Sequence, residues 1–258
     1  MAEKYTNKFV FPKTINLLLP LLVLGAIGAA TYVPTVLGLG TSPETTDVGY
    51  NPSQPVAYSH ALHVGQLGLD CRYCHTTVDK SGFAALPPTQ TCMNCHNAVR
   101  TNSEKLAPVR DSWKTGKSIP WVEVHDLPDF AYFNHSAHVN KGVSCVSCHA
   151  RVDHMADEGV YQAKSLSMGW CIDCHRKPEE HLRPKDQVTN LGWTPADLAR
   201  ADAGTESARV YDALQKAHPG MKEFTQKEVG ELLRGPGDAG GYQIRDRHFM
   251  TSCSTCHR

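Results

Sequence analysis

Cysteine occurs ten times in this chain, and all ten fall in one pattern. The pairs are Cys71 and Cys74, Cys92 and Cys95, Cys145 and Cys148, Cys171 and Cys174, and Cys253 and Cys256. A histidine follows each second cysteine at once: His75, His96, His149, His175 and His257. Two thiols and an imidazole at this spacing can hold a porphyrin through two thioethers and give its iron one axial nitrogen, the attachment signature of c-type haem. A single Cys-x-x-Cys also suits a zinc knuckle, a redox dithiol or disulfide halves. None of these requires a histidine directly after every pair, so five repetitions select haem. The expectation is five covalently bound haem c groups, each with iron.

The second axial positions need donors as well. Tyr58-Ser59-His60-Ala61-Leu62-His63-Val64 lies ahead of Cys71, and Phe133-Asn134-His135-Ser136-Ala137-His138-Val139 lies ahead of Cys145. Both read aromatic-x-His-x-x-His-Val, followed by two attachment motifs, with an offset of 75 residues from His60 to His135 and 74 from Cys71 to Cys145. Histidines three apart share one face of a helix. The fragment resembles small trihaem and tetrahaem cytochromes, in which the first histidine ligates the haem of the following motif and the second a neighbouring haem. That resemblance implies His60 for the Cys71 haem and His135 for the Cys145 haem, with His63 and His138 reaching adjacent haems left unassigned.

Five irons and four repeat histidines leave one distal position. Met168, three residues before Cys171, is the candidate, and methionine–histidine ligation would raise that haem's potential relative to bis-histidine partners. Met155 and Met250 are weaker alternatives, and His248, five residues before Cys253, is a rival. His125 could bond a propionate or serve as a sixth ligand. His154, His181 and His218 are assigned nothing.

These residues must be placed by short elements. Glycine and proline total 36, so the expected fold is a multihaem cytochrome c: mostly irregular chain with short α-helices wrapped around five haems, plus one N-terminal transmembrane helix. The expected organisation is a cytoplasmic stub and anchor over 1–40 and a pentahaem domain over 41–258. Within the latter lie two related dihaem units at 58–96 and 133–175, a helical insertion at 195–235 and a fifth haem site at 248–258. In the insertion, Thr225-Gln226-Lys227-Glu228 is a capping-box pattern ahead of Val229, Leu232 and Leu233, with Gly235 as terminator. These helices are expected to cover haem edges or dock on a partner.

Lysine plus arginine number 26, as do aspartate plus glutamate, so the neutral chain offers no basic footprint for nucleic acid. From Ile15 to Leu39 no residue is charged and only Asn16 is strongly polar. At about 1.5 Å per helical residue, this run spans a hydrocarbon layer of roughly 30 Å. Lys4, Lys8 and Lys13 precede it and no basic residue follows until Arg72, which places the N-terminus in the cytoplasm and the haem region in the periplasm of a bacterial inner membrane. A cleaved signal ending near Gly28-Ala29-Ala30 is the competing reading, but signal cores are shorter, about 7–15 residues.

The anchor, Leu67-Gly68-Leu69-Asp70 before Cys71, Pro87-Pro88-Thr89-Gln90-Thr91 before Cys92, Val124-His125-Asp126-Leu127-Pro128 and the terminal Thr251-Ser252 motif together resemble the pentahaem cytochrome c subunit of bacterial alternative complex III. The likeness covers roughly residues 48–190 and the last 18. It implies electron transfer without an open catalytic haem, in a menaquinol-oxidising respiratory or photosynthetic complex. The implied partners are an iron–sulfur subunit, integral-membrane quinol-binding subunits, and a monohaem cytochrome c, blue-copper protein or terminal oxidase as acceptor. That family's final segment usually reads leucine where Met250 stands, which lowers Met250, and the resemblance lowers His248 too. The alternatives are a stand-alone membrane quinol dehydrogenase feeding periplasmic reductases and a multihaem reductase with an open haem. A pentahaem nitrite reductase typically has lysine for one attachment histidine, which no motif here does.

Overall fold

In a computed structural model, the described residues are Pro12, 14–40, 42–156, 159–235, Tyr242 and 244–257. Lys4, Lys8, Lys13 and Arg258 lie outside them. The chain divides into two compact units, Met1–Thr46 and Asp47–Arg258.

The first unit is α1, Ile15–Gly40, and a short α2, Pro43–Thr46. Helix α1 has 26 residues with a mean hydropathy of 2.0, long and apolar enough to cross a membrane. Pro20 and Pro34 sit inside it. Thr31 Oγ1 donates to Ile27 O and Thr35 Oγ1 to Thr31 O, at 3.1 and 2.7 Å. A helix in lipid must satisfy such polar groups internally.

In the second unit the helices are short, and no strand occurs among the described residues beyond one isolated bridge between Val143 and Leu182. The attachment motifs lie in α3 (Cys71–Cys74), α4 (Thr89–His96) and, past α5 (Ala107–Thr115) and α6 (His135–Val139), in α7 (Cys145–His149) and α8 (Met168–Arg176). After α9 (Glu206–Ala217), α10 (Gln226–Arg234) and α11 (Arg247–Met250), the last motif forms α12 (Cys253–Cys256). The residue before the turn starts several of them. Asp70 accepts from Arg72 N at 2.8 Å, Ser144 from Val146 N at 3.4 Å and Ser167 from Trp170 N at 3.4 Å. Capped in this way, one helical turn puts both cysteines of a motif on the same face, where a porphyrin edge can meet them.

The largest cluster of buried apolar side chains comes wholly from one stretch, from Leu182 through Trp193, Leu198, Val210, Leu214, Phe224, Val229 and Leu233 to Tyr242. The helical insertion thus builds a core of its own, in addition to whatever it covers. Capping boxes start two of its helices: Thr194 with Asp197 ahead of a 3₁₀ segment at Pro195–Arg200, and Thr225 with Glu228 ahead of α10, the second as the sequence pattern predicts. Helix α10 lies directly on Pro178–Glu180 through Gly230. Beside that contact, the buried Glu179 carboxylate accepts from Arg247 at 2.8 Å and Arg234 at 3.5 Å. This ties the insertion to α11, immediately ahead of the last motif. The haem-attachment segments bury few apolar side chains, Val78 and Met155 among them. That suits a chain whose core there is to be supplied by flat apolar cofactors.

Candidate functional site

The candidate histidines meet in opposed pairs. His63 and His96 have ring centres 6.2 Å apart, His135 and His149 6.4 Å, and His138 and His175 6.1 Å. The planes are nearly parallel in the last two, at 6° and 20°, and steeply inclined at 68° in the first. A metal held between two imidazole nitrogens at about 2 Å each separates the ring centres by about 6 Å. The pairs therefore fit an iron between them. His60 and His75 are electrostatic neighbours.

Ring orientation is fixed by the backbone. His75 Nδ1 donates to Ala85 O (3.0 Å), His96 Nδ1 to Val99 O (3.0 Å), His175 Nδ1 to Met250 O (2.8 Å) and His257 Nδ1 to Phe130 O (3.0 Å). His63, His135 and His138 do likewise to Ser59 O, Gly82 O and Asn134 O, at 2.8, 2.9 and 2.8 Å. With Nδ1 protonated and bonded to a carbonyl, Nε2 keeps its lone pair for a metal, the usual arrangement of a ligating histidine. His60 Nδ1 is buried without a hydrogen-bond partner, and burial together with His75 and His63 pulls its pKa down to about 4. Burial, then the neighbouring His125 and His135, lowers His149 to about 3. Both imidazoles are neutral at physiological pH, as ligation requires.

The repeat aromatics act as backstops. Tyr58 stacks on His63 at 4.4 Å and meets His60 edge-on at 4.8 Å, and Phe133 does the same for His138 at 4.5 Å and His135 at 4.8 Å. The histidines of the first repeat lie on a π-helical turn, Ala61–Gln66, entered from His60, whereas those of the second lie on α6. Wider turns of this kind concentrate at functional sites.

A family model described as cytochrome c7 and related cytochrome c matches residues 131–192, the stretch holding His135, His138 and the third and fourth motifs. The multiheme cytochrome c subunit of menaquinone reductase from Nitratidesulfovibrio vulgaris (strain Hildenborough) is 36% identical over 148 residues, which make up 50% of this chain and 70% of that relative. The chain belongs to the multihaem cytochromes c. In this cytochrome covalently bound haem c is the cofactor, and the ten cysteines with the opposed imidazoles are a donor set that fits it.

His125 lies edge-on to His149 at 4.4 Å, too close for a metal between the two rings, while His135 stands opposite His149 at the right spacing. The His125 Nε2 is buried without a hydrogen-bond partner. Met168 starts α8 and is exposed, Met155 is buried, and His248 is exposed on α11. Met250 touches the site through its carbonyl, which orients His175. The carbonyl partners carry no side-chain signal, so motif reading could not find them.

Proposed function

We propose that this cytochrome is the electron-relay subunit of a menaquinol-oxidising membrane complex of the alternative complex III type. It carries five haems and passes electrons to a periplasmic monohaem cytochrome c, blue-copper protein or terminal oxidase. Helix α1 anchors it with the N-terminus in the cytoplasm and the haem region in the periplasm. An iron–sulfur subunit and quinol-binding membrane subunits stand beside it. The observation that carries the reading is the set of opposed imidazoles: at His96, His149 and His175 a second ring stands opposite at ligation spacing, which would leave those irons no axial site for a substrate.

Bound haem supplies one-electron exchange at iron, with a potential set by axial ligand, hydrogen bonding and solvent access. The residues do the positioning. Cys71 and Cys74, Cys92 and Cys95, Cys145 and Cys148, Cys171 and Cys174, and Cys253 and Cys256 would hold the five macrocycles. His75 with His60, His96 with His63, His149 with His135 and His175 with His138 would ligate four of the irons, and His257 would ligate the fifth. Met168, three residues before Cys171, would supply the remaining distal donor in this reading. The carbonyl acceptors hold each ring still, so little rearrangement accompanies a change of iron charge. The name of the Nitratidesulfovibrio relative, a menaquinone reductase subunit, supports a quinone-linked complex.

Solubilised from its native membrane in mild detergent, the protein is expected to copurify with iron–sulfur and integral-membrane subunits, and a menaquinol analogue should reduce its haem absorbance. Recovery of the chain alone with quinol dehydrogenase activity would favour the stand-alone reading. Nitrite binding to the native protein would favour a reductase. Met168→His is expected to keep all haems and lower one midpoint potential. An unchanged redox titration would remove Met168 from the ligand set.

A further inference from the structure

The two histidine repeats are seated on one another reciprocally. In the second, the His135 and Ser136 amides donate to Gly82 O and Ser81 O at 3.1 Å each, in the loop that follows the first motif. In the first, Ala61 N donates to Met155 O at 2.9 Å, just beyond the third motif, and the turn Ala61–Gln66 packs on Val152–His154. Gly65 permits the approach, because a Cβ there would run into Asp153 O. One loop also orients ligands of both sites: Ala85 O accepts from His75 Nδ1, and Gly82 O accepts from His135 Nδ1. The first and third sites therefore adjoin.

The remaining sites flank this junction. Tyr58 touches both His60 and His63, and Asn94 within the second motif donates to the Tyr73 hydroxyl within the first at 3.2 Å, so the second site adjoins the first. Phe133 bridges His135 and His138 in the same way, which joins the third site to the fourth. The fourth meets the fifth where Met250 O holds His175, with α11 packed on α8.

We infer that the five sites are threaded in the order second, first, third, fourth, fifth, so that the second and fifth are the ends of the relay. The inference rests on the haem reading of the five motifs. A cofactor-resolved cryo-electron microscopy map of the native holoprotein tests both separately. The expected map gives the haem on Cys92 and Cys95 one near neighbour, the haem on Cys71 and Cys74, which in turn adjoins the haem on Cys145 and Cys148. A Cys92 haem lying between the first and third haems would overturn the order. Absence of porphyrin density at the motifs would instead sink the haem reading. In flash-reduced holoprotein, Cys71→Ala with Cys74→Ala should cost the second haem its rapid electron equilibration with the rest, while Cys92→Ala with Cys95→Ala leaves the other four in rapid exchange. Retained equilibration of the second haem in the first variant would also overturn the order.

Discussion

Alanine in place of His138 is expected to turn one of the low-spin haems into a five-coordinate, high-spin centre that binds carbon monoxide, with every thioether link retained. The ring of His138 faces His175 at 6.1 Å, and its Nδ1 is tied to Asn134 O within the same helical turn. Both the donor and its orientation are lost in the variant. Phe133, stacked on the ring at 4.5 Å, offers no donor in its place. The attachment chemistry at Cys171, Cys174 and His175 lies on a separate helix and is untouched. Optical spectra with and without carbon monoxide, read against total haem, measure the effect. His63→Ala should behave alike at the Cys92 site. A His138→Ala protein that stays wholly low-spin and inert to carbon monoxide would show that this imidazole is not a ligand.

The second large effect is at a glycine that carries no candidate iron ligand. Gly230→Ala should destabilise the second unit by about 3 kcal/mol, the upper end for overpacking, because the added Cβ would overlap backbone atoms of Glu179 and not the yielding tip of a side chain. In a chain of this size that corresponds to a fall in melting temperature of roughly 6–12 °C. The same displacement would pull the Glu179 carboxylate away from Arg247 and Arg234, and with it the anchorage of α11. Thermal unfolding followed by haem absorbance checks this. Unaltered melting would mean that α10 has room to slide.

The contrast between these two cases marks what the residues themselves disclose. Cys-x-x-Cys-His is chemistry written contiguously, so the attachment motifs could be read without a fold. The repeat histidines stand out by their spacing, and the resemblance implies His60 for the first motif and His135 for the third; in the structure the His135 ring faces His149 at 6.4 Å. The partners of His63 and His138 could not be read, since they depend on how loops carry α4 and α8 back beneath the repeats. Carbonyl acceptors such as Ala85 and Met250 are invisible to any residue-type pattern, because every residue has a carbonyl. The Thr225 capping box was legible as a local signal. The core from Leu182 to Tyr242 was not, because its members are scattered through a stretch with no motif and come together only when α9 and α10 fold back on Pro178–Glu180.

Thioether-bound porphyrin at all five motifs is the claim beneath everything else, and intact mass of the purified protein, paired with a haem determination on the same sample, tests it most directly. The expected result is a chain heavier than its peptide by five haems, with the haem resisting extraction after denaturation. A mass that accounts for fewer than five, or haem released by acid and solvent, would contradict it.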